Sequence, residues 1–291
     1  MSQIRNVVVV GAGTMGSGIA LVSAATGHVT TLVDLNAQVL EKARGEIEKN
    51  AARLARKFFK EDPAAASAMV AETLGRIKYC AELEEAVRDS DLVIEAIVEN
   101  VKIKQDLFRR IDGIAPQHTI FVSNTSSLSI VELGSVTQRQ DRFAGFHFFN
   151  PVPLMKLVEV IKTDRTSAET NASSLAFGEA LGKTCISCKD TPGFIVNRLL
   201  FTITSEALGM LERGDASMRD IDTALKLGLG HPMGPFELMD MIGLDVTLNI
   251  MQERQARNPN DVSLRPSPTL VKLVGENKLG VKTGEGFYNY K

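Results

Sequence analysis

The 291-residue chain is short of several things, and each shortage narrows what it can be. It has no apolar run of about 18 residues, so no segment is suited to crossing a bilayer as a helix. It has no marked excess of charge: the formal net charge is −2, which argues against non-specific binding to nucleic acid or to an anionic membrane surface. Cysteine is scarce, and three residues do not make a disulfide framework. Cys185 and Cys188 form a C-x-x-C, but a redox pair of that spacing usually opens a helix, whereas this one sits in a strand-like run after Gly182. A zinc site needs about four ligands and there is no second cysteine pair, so no metal is expected. A strand-like run starts at Ile4, leaving no room ahead of it for a signal or transit peptide, which by itself does not fix the compartment. There are no internal repeats and no low-complexity segments. What is present is core material: 44% of residues are hydrophobic, which excludes disorder and suits one large or two ordinary domains.

The first half alternates apolar runs with helical patterns. Ile4–Val10, Val29–Val33, Ile77–Cys80, Leu92–Ile97, Thr119–Ser123 and Arg142–Phe148 are strand candidates, with helices predicted at Thr14–Thr26, from about Asn36 through Lys60, and between most later strands. Two more strands, Lys156–Ile161 and Thr184–Ser187, flank a helix predicted over Ser167–Leu181. Continuous apolar strands alternating with helices imply an α/β, doubly wound, mostly parallel sheet. After Thr191-Pro192-Gly193 only helical periodicity remains, broken at Gly214, Gly228–Pro235, Asn258–Asn260 and Pro266–Pro268. Thr191 is a natural N-cap with Pro192 at the first helical position. The domain boundary is therefore expected near residue 190, giving a Rossmann-type domain over 1–190 and an all-helical domain over 191–291.

Gly11-Ala-Gly-Thr-Met-Gly16 is a G-x-G-x-x-G placed after a strand, opening a helix, within a β-α-β unit. Gly11 suits the tight turn, Gly13 the approach of a pyrophosphate, and Gly16 the close packing of helix on strand; Thr14 and Met15 start the helix whose free N–H groups face the anion. Asp34 ends the second strand about twenty residues on, where its carboxylate can accept the ribose hydroxyls and repel a 2′-phosphate. NAD is favoured over NADP, and FAD is the remaining alternative.

Of the four histidines, His28, His118 and His231 have the look of turn or surface residues. His147 lies at the carboxyl end of a strand, just before Asn150-Pro151 halts it, and ligands of open α/β sheets collect at such ends. An imidazole there suits removal of a hydroxyl proton. Glu159 interrupts an apolar strand, and a buried carboxylate demands a partner; pairing with His147 would orient the ring, the alternative being an edge-strand Glu paired with Lys. Ser126, in the polar loop Ser123-Asn-Thr-Ser-Ser127, and Asn197, an amide in an apolar helical stretch, are candidates to hold substrate oxygens, though each alone could be a cap or a structural hydrogen bond. Arg53, Arg56, Lys57 and Lys60 share one helix face, either a solvated basic face or a cradle for phosphates. Lys102 and Lys104 near the start of the helix after Glu99 oppose its dipole, which a nearby anionic ligand would explain.

Taken together, Val7-Val-Val-Val-Gly-Ala-Gly-Thr-Met-Gly-Ser-Gly-Ile19, Ser123–Ser127, Gly145-Phe-His-Phe-Phe-Asn-Pro-Val-Pro153, Lys156-Leu-Val-Glu-Val160, Asp190-Thr-Pro-Gly-Phe-Ile-Val-Asn-Arg198, Gly230-His-Pro-Met-Gly-Pro-Phe-Glu237 and Lys282-Thr-Gly-Glu-Gly-Phe-Tyr288 resemble the short-chain L-3-hydroxyacyl-CoA dehydrogenases, in particular those of animal mitochondrial fatty-acid oxidation. The resemblance implies reversible oxidation of (S)-3-hydroxyacyl-CoA by NAD⁺ to 3-oxoacyl-CoA and NADH. It implies His147 as base, Glu159 as its orienting partner, and Ser126 and Asn197 as substrate-contacting residues. Asp34, Glu99, Lys104 and Ser126 match positions that contact NAD, with Asn150 beside them, while Lys57, and Arg53 on the same face, lie toward coenzyme A. A ligand-contacting Ser of the family is Asn50 here, so that contact is not carried over. The resemblance also implies a homodimer through a carboxyl-terminal domain that closes over the substrate, and a place in the mitochondrial matrix, with the cytoplasm as alternative. Two other classes remain open: a dehydrogenase of free β-hydroxyacids with a Lys base, and a non-enzymatic NAD-binding protein of the kind a lens crystallin related to this family represents.

Overall fold

The four consecutive valines Val7–Val10 can form extended backbone only if both faces are covered, since alternate side chains point to opposite sides. In the computed structural model, which describes residues 4–257, 259–260 and 265–290, they do so as part of β1 (Asn6–Val10). Val7 and Val9 enter one hydrophobic cluster and Val8 and Val10 another, on the two sides of the sheet. The first unit, Met1–Ile195, continues through α1 (Thr14–Ala25), β2 (Val29–Val33), α2 (Ala37–Phe58), α3 (Pro63–Gly75), β3 (Ile77–Cys80), α4 (Leu83–Ala86) and β4 (Leu92–Glu95). It then runs through α5 (Val101–Asp112), β5 (Ile120–Ser123), α6 (Ile130–Gly134), β6 (Phe143–Phe148), β7 (Leu157–Lys162), α7 (Ala168–Ala180) and β8 (Thr184–Lys189).

The strand order is β3-β2-β1-β4-β5-β6-β7-β8. All neighbours are parallel except β6 and β7, which are antiparallel. The order reverses between β1 and β4, so the carboxyl ends of those two strands bound the crevice where this architecture takes ligands. The doubly wound sheet expected from the sequence is present. Lys60 is a correction: α2 ends at Phe58 because Asp62 caps a new helix opened by Pro63, so the basic helix face stops at Lys57.

The junction also differs from expectation. Thr191 and Pro192 do not start a helix: α8 begins at Val196, because Gly193 and Phe194 both adopt left-handed backbone, at φ 78 and 50°, which no α-helix accommodates. The second unit, Val196–Lys291, contains α8 (Val196–Arg213), α9 (Met218–Leu229), α10 (Pro235–Ile242), α11 (Leu244–Arg257) and α12 (Pro268–Gly275). Gly214 and Gly230, with φ of 72 and 71°, follow α8 and α9 as the expected breaks, and Ser267 caps α12 before Pro268. Of the break expected at Asn258–Asn260, Asn258 lies outside the described residues.

Two buried carboxylates organise this helical unit. Asp222 accepts from Phe236 N–H (2.9 Å) and Glu237 N–H (3.2 Å), capping α10, and from the Tyr288 hydroxyl at 2.7 Å. Asp240 accepts from Phe287 N–H and Tyr288 N–H, both at 2.9 Å, and from the Tyr290 hydroxyl at 3.0 Å. They pin the carboxyl-terminal segment onto the helices, and a Cβ on Gly286 would lie 2.1 Å from Asp240 Oδ1. Burial, then these hydrogen bonds, raise both tyrosine hydroxyls above their ordinary pKa. Replacing Asp240→Ala orphans two backbone donors, and the expected loss is roughly 2–5 kcal/mol of stability by chemical denaturation.

Candidate active site

The glycines of the loop after β1 are dictated by contact. Gly11 sits at φ 104°, and a Cβ there would lie 2.5 Å from the carbonyl oxygen of Ala96 after β4. A Cβ on Gly16 would fall 1.7 Å from Gly11 O, so helix and loop touch only because neither carries a side chain. Gly13 is different: nothing lies within 4 Å of its missing Cβ, so there a hydrogen leaves room for a ligand. Gly13 is also the N-cap of α1 and supplies no side-chain cap, leaving the first helical N–H groups turned outward. A cavity of about 690 Å³ opens here, lined by Gly13, Thr14, Met15, Asp34, Val98 and Leu107 among others. Asp34 is fixed at its edge: one carboxylate oxygen accepts from Ala12 N–H and the other from Asn36 N–H, each at 3.0 Å. Free helix N–H groups, an open glycine and an anchored carboxylate fit the pyrophosphate and ribose of a dinucleotide.

Three strands farther along the sheet edge, past β4 and β5, lies His147. The antiparallel register of β6 and β7 sets it directly opposite Glu159. Their side chains meet: Nδ1 is 2.8 Å from Glu159 Oε2, with His147 5% and Glu159 0% exposed. Donation from Nδ1–H leaves Nε2 as the acceptor. The other oxygen, Oε1, accepts from Ile195 N–H at 3.0 Å. Phe149 and Phe194 flank the imidazole at ring-centre distances of 4.5 and 5.7 Å. The arrangement can take up a proton at Nε2 and stabilise the resulting charge without moving the ring.

Between these two places the loops after β4 and β5 are tied together by a buried network. Glu95, 0% exposed, accepts from Lys104 Nζ (2.6 Å), Ser123 Oγ (2.5 Å) and Ile97 N–H (2.7 Å). Burial drives its carboxyl above the usual range, partly offset by Lys104 and these hydrogen bonds. Lys104 Nζ also lies 3.0 Å from Glu99 Oε2. Glu99 accepts from the Thr125 hydroxyl, from Ser127 Oγ at 3.2 Å and from Ser126 N–H at 3.3 Å. Although burial opposes its ionisation, Lys104 and the donors from Thr125 and Ser127 win, and its carboxyl sits below the ordinary range. Ser126 and Glu99 are thus neighbours. Lys104 is 1% exposed, and both glutamates lie against its ammonium group.

Asn150 is exposed after β6 and lines a second cavity, of about 450 Å³, that also takes in Gly13 and Thr14 of the glycine-rich loop, with Asn50 on α2. Arg53, Arg56 and Lys57 are exposed on α2. Asn197 is half-buried on α8 of the second unit. Cys185 and Cys188 pack into the two opposite clusters of the sheet, and burial pushes each thiol up to about 11, so neither is a reactive pair member.

Three supporting residues escaped the sequence. Glu95 carries the same signal as Glu159, a charge in an apolar strand, and could have been found by it. Asn124, whose Oδ1 accepts from Phe148 N–H at 2.9 Å, and Lys183, whose Nζ donates to the carbonyls of Val152 and Met155 at 2.6 and 2.7 Å, had none. Both brace the chain just past His147. Removing the cation of the buried network tests its weight: Lys104→Met strands Glu95 and Glu99 and should cost roughly 3–5 kcal/mol of stability in urea unfolding. A solvent-exposed lysine at that place would show almost no effect.

Comparison with known proteins agrees with this geometry. Residues 6–191 match the family model of the 3-hydroxyacyl-CoA dehydrogenase NAD binding domain, and residues 193–290 that of the 3-hydroxyacyl-CoA dehydrogenase C-terminal domain. The chain is 54% identical over 288 residues to the mitochondrial hydroxyacyl-coenzyme A dehydrogenase of Sus scrofa, covering 99% of this chain and 92% of that protein. It is 55% identical over 291 residues to the Homo sapiens protein of the same description, with coverage of 99% and 92%. The solved structure of (S)-3-hydroxybutyryl-CoA dehydrogenase from Ralstonia eutropha superposes with a TM-score of 0.91 at 42% identity, covering 99% of this chain and 100% of that one. The chain belongs to the 3-hydroxyacyl-CoA dehydrogenase family, whose NAD-binding and carboxyl-terminal domains it carries in that order.

Proposed function

We propose that this protein oxidises the 3-hydroxyl of (S)-3-hydroxyacyl-CoA thioesters to the 3-oxo form, reversibly and with NAD⁺, with His147 as the base. The observation that carries this reading is the His147–Glu159 pair, buried at the same sheet edge as the open glycine-rich loop. At ordinary strand spacing the two places are roughly 14 Å apart, within reach of one extended dinucleotide. Bound NAD⁺ supplies the hydride acceptor. His147 Nε2 takes the hydroxyl proton as the carbon–hydrogen bond breaks, so that the C=O forms and no charge is left on oxygen. Glu159 holds the ring in one tautomer and stabilises the imidazolium. Gly11, Gly13, Thr14, Met15, Gly16 and Asp34 are assigned to the dinucleotide. Glu99 and Lys104 shape the loop that presents Ser126, and Asn150 follows the base. Ser126 and Asn197 are assigned to substrate oxygens, and Lys57 and Arg53 to the phosphates of coenzyme A.

In this reading residues 1–190 bind the dinucleotide, and residues 191–291 close over the substrate and pair two copies of the chain. Exposed Leu199, Leu227, Leu229 and Met241 on the second unit support pairing. The mitochondrial relatives support fatty-acid β-oxidation in the mitochondrial matrix as its setting.

Initial rates with 3-hydroxyacyl-CoA substrates of increasing length should exceed those with the free 3-hydroxyacids by orders of magnitude; equal rates would move the assignment to free β-hydroxyacids. His147→Ala should lower kcat at least a hundredfold while NADH binding, followed by fluorescence, stays within about twofold. Glu159→Gln removes the charge that stabilises the imidazolium. That loss should lower kcat by roughly tenfold or more while NADH binding is unchanged; wild-type kcat in the variant would separate the two residues functionally.

A further inference from the structure

The segment that follows β8 holds a backbone conformation that local chemistry does not favour. Gly193 adopts its φ of 78° freely, but Phe194, at 50°, is a large L side chain in the left-handed region. Such a residue stays there only where its surroundings over-determine it, and these places cluster where geometry serves function. Two contacts do so here, and both end on the same pair of side chains. The Phe194 ring, 3% exposed and packed into the cluster that contains Ile161 and Leu128, stands 5.7 Å from the imidazole of His147. The next backbone N–H, that of Ile195, donates to Glu159 Oε1, the oxygen that does not face the ring. The Phe194 N–H meanwhile donates to Thr191 O at 2.9 Å and closes the turn. Two successive left-handed residues turn the chain so that the Phe194 ring and the following N–H both come back onto His147 and Glu159. A helical start at Pro192 would carry them onward instead.

The need for such a brace follows from the torsions involved. The last torsion of a glutamate is broad and weakly preferred, so one hydrogen bond to His147 leaves the carboxylate plane loosely set. A second donor on Oε1 fixes that plane, and with it the direction in which imidazole Nε2 points. The ring itself needs walls on two sides, and Phe149 at 4.5 Å supplies one.

We infer that Phe194 is a positioning residue for the base: its ring forms the second wall of His147, and its left-handed backbone aims the Ile195 N–H at Glu159. This rests on His147 being the base. Phe194 touches no reacting atom. It acts through the two side chains that do the proton transfer, and its backbone conformation is the means.

The test separates this role from a structural one by comparing kcat with binding. In the full-length protein, Phe194→Ala should lower kcat by roughly tenfold to a hundredfold, the range that a small misplacement of a reacting group produces. KM for NAD⁺ and acyl-CoA, and NADH affinity, should stay within about twofold. Phe194→Leu, which keeps an apolar wall, should recover most of kcat. An amide-to-ester replacement at Ile195 removes the N–H donor, with the Phe194 carbonyl only weakened as an acceptor, and should lower kcat while leaving the fold intact by circular dichroism. Wild-type kcat in Phe194→Ala or in the ester protein would overturn the inference. So would losses shared equally by kcat and NADH affinity with a matching fall in Tm, since those mark damaged folding. His147→Ala, assayed alongside, reports on the function itself: if that variant retained turnover, the proposed reaction would fail whatever Phe194 does.

Discussion

The antiparallel pairing of β6 with β7 is the constraint on which the rest of the candidate site depends. In a wholly parallel sheet, a residue at the carboxyl end of one strand lies beside the carboxyl end of the next. Reversing one strand brings the middle of β7 alongside the end of β6, and His147 and Glu159 become a directly opposed pair. The carboxylate can then be buried in the sheet while its partner stays at the edge where ligands gather. A buried Glu alone would be expensive. It is tolerable because both oxygens are occupied, one by imidazole and one by the Ile195 N–H.

A second buried carboxylate repeats the device three strands away, at the end of β4. Glu95 closes β4 as Glu159 occupies β7, yet its partners differ: a lysine, a serine and a backbone N–H rather than a histidine. The partners decide the chemistry. Glu159 leaves an imidazole nitrogen free to take a proton, whereas Glu95 and Lys104 satisfy each other and leave nothing to react. The Glu95 network therefore sets the loops around Glu99 and Ser126, while the Glu159 pair can do proton transfer. The second unit uses Asp222 and Asp240 in a third way, as anchors for backbone donors and tyrosine hydroxyls of the terminal segment whose Phe287 enters the helical core.

Much of this was legible before any coordinates. The alternation of apolar runs and helices gave the doubly wound sheet, because buried parallel strands must be continuously apolar. G-x-G-x-x-G in a β-α-β context gave the dinucleotide loop, because contacts at 1.7 to 2.5 Å from a hypothetical Cβ admit only glycine at positions 16 and 11. A charge inside an apolar strand singled out Glu159. Glu95 carries the same signal at the end of β4. The pair of glutamates beside Lys104 cannot be found from spacing, since they belong to a strand end and a loop.

What the sequence determined by itself is the set of local necessities: where glycine is compulsory, where apolar strands run, and which polar groups must find partners. Tertiary structure alone decided which partners they found. The start of α8 shows the difference. Thr191-Pro192 has the chemistry of a helix start, and in isolation nothing contradicts it. Gly193 takes left-handed backbone freely and Phe194 is held there by the contacts of its ring and of the next N–H with His147 and Glu159, so the helix waits until Val196. Local propensity is a matter of short-range torsional preference, and two contacts to distant strands outweigh it.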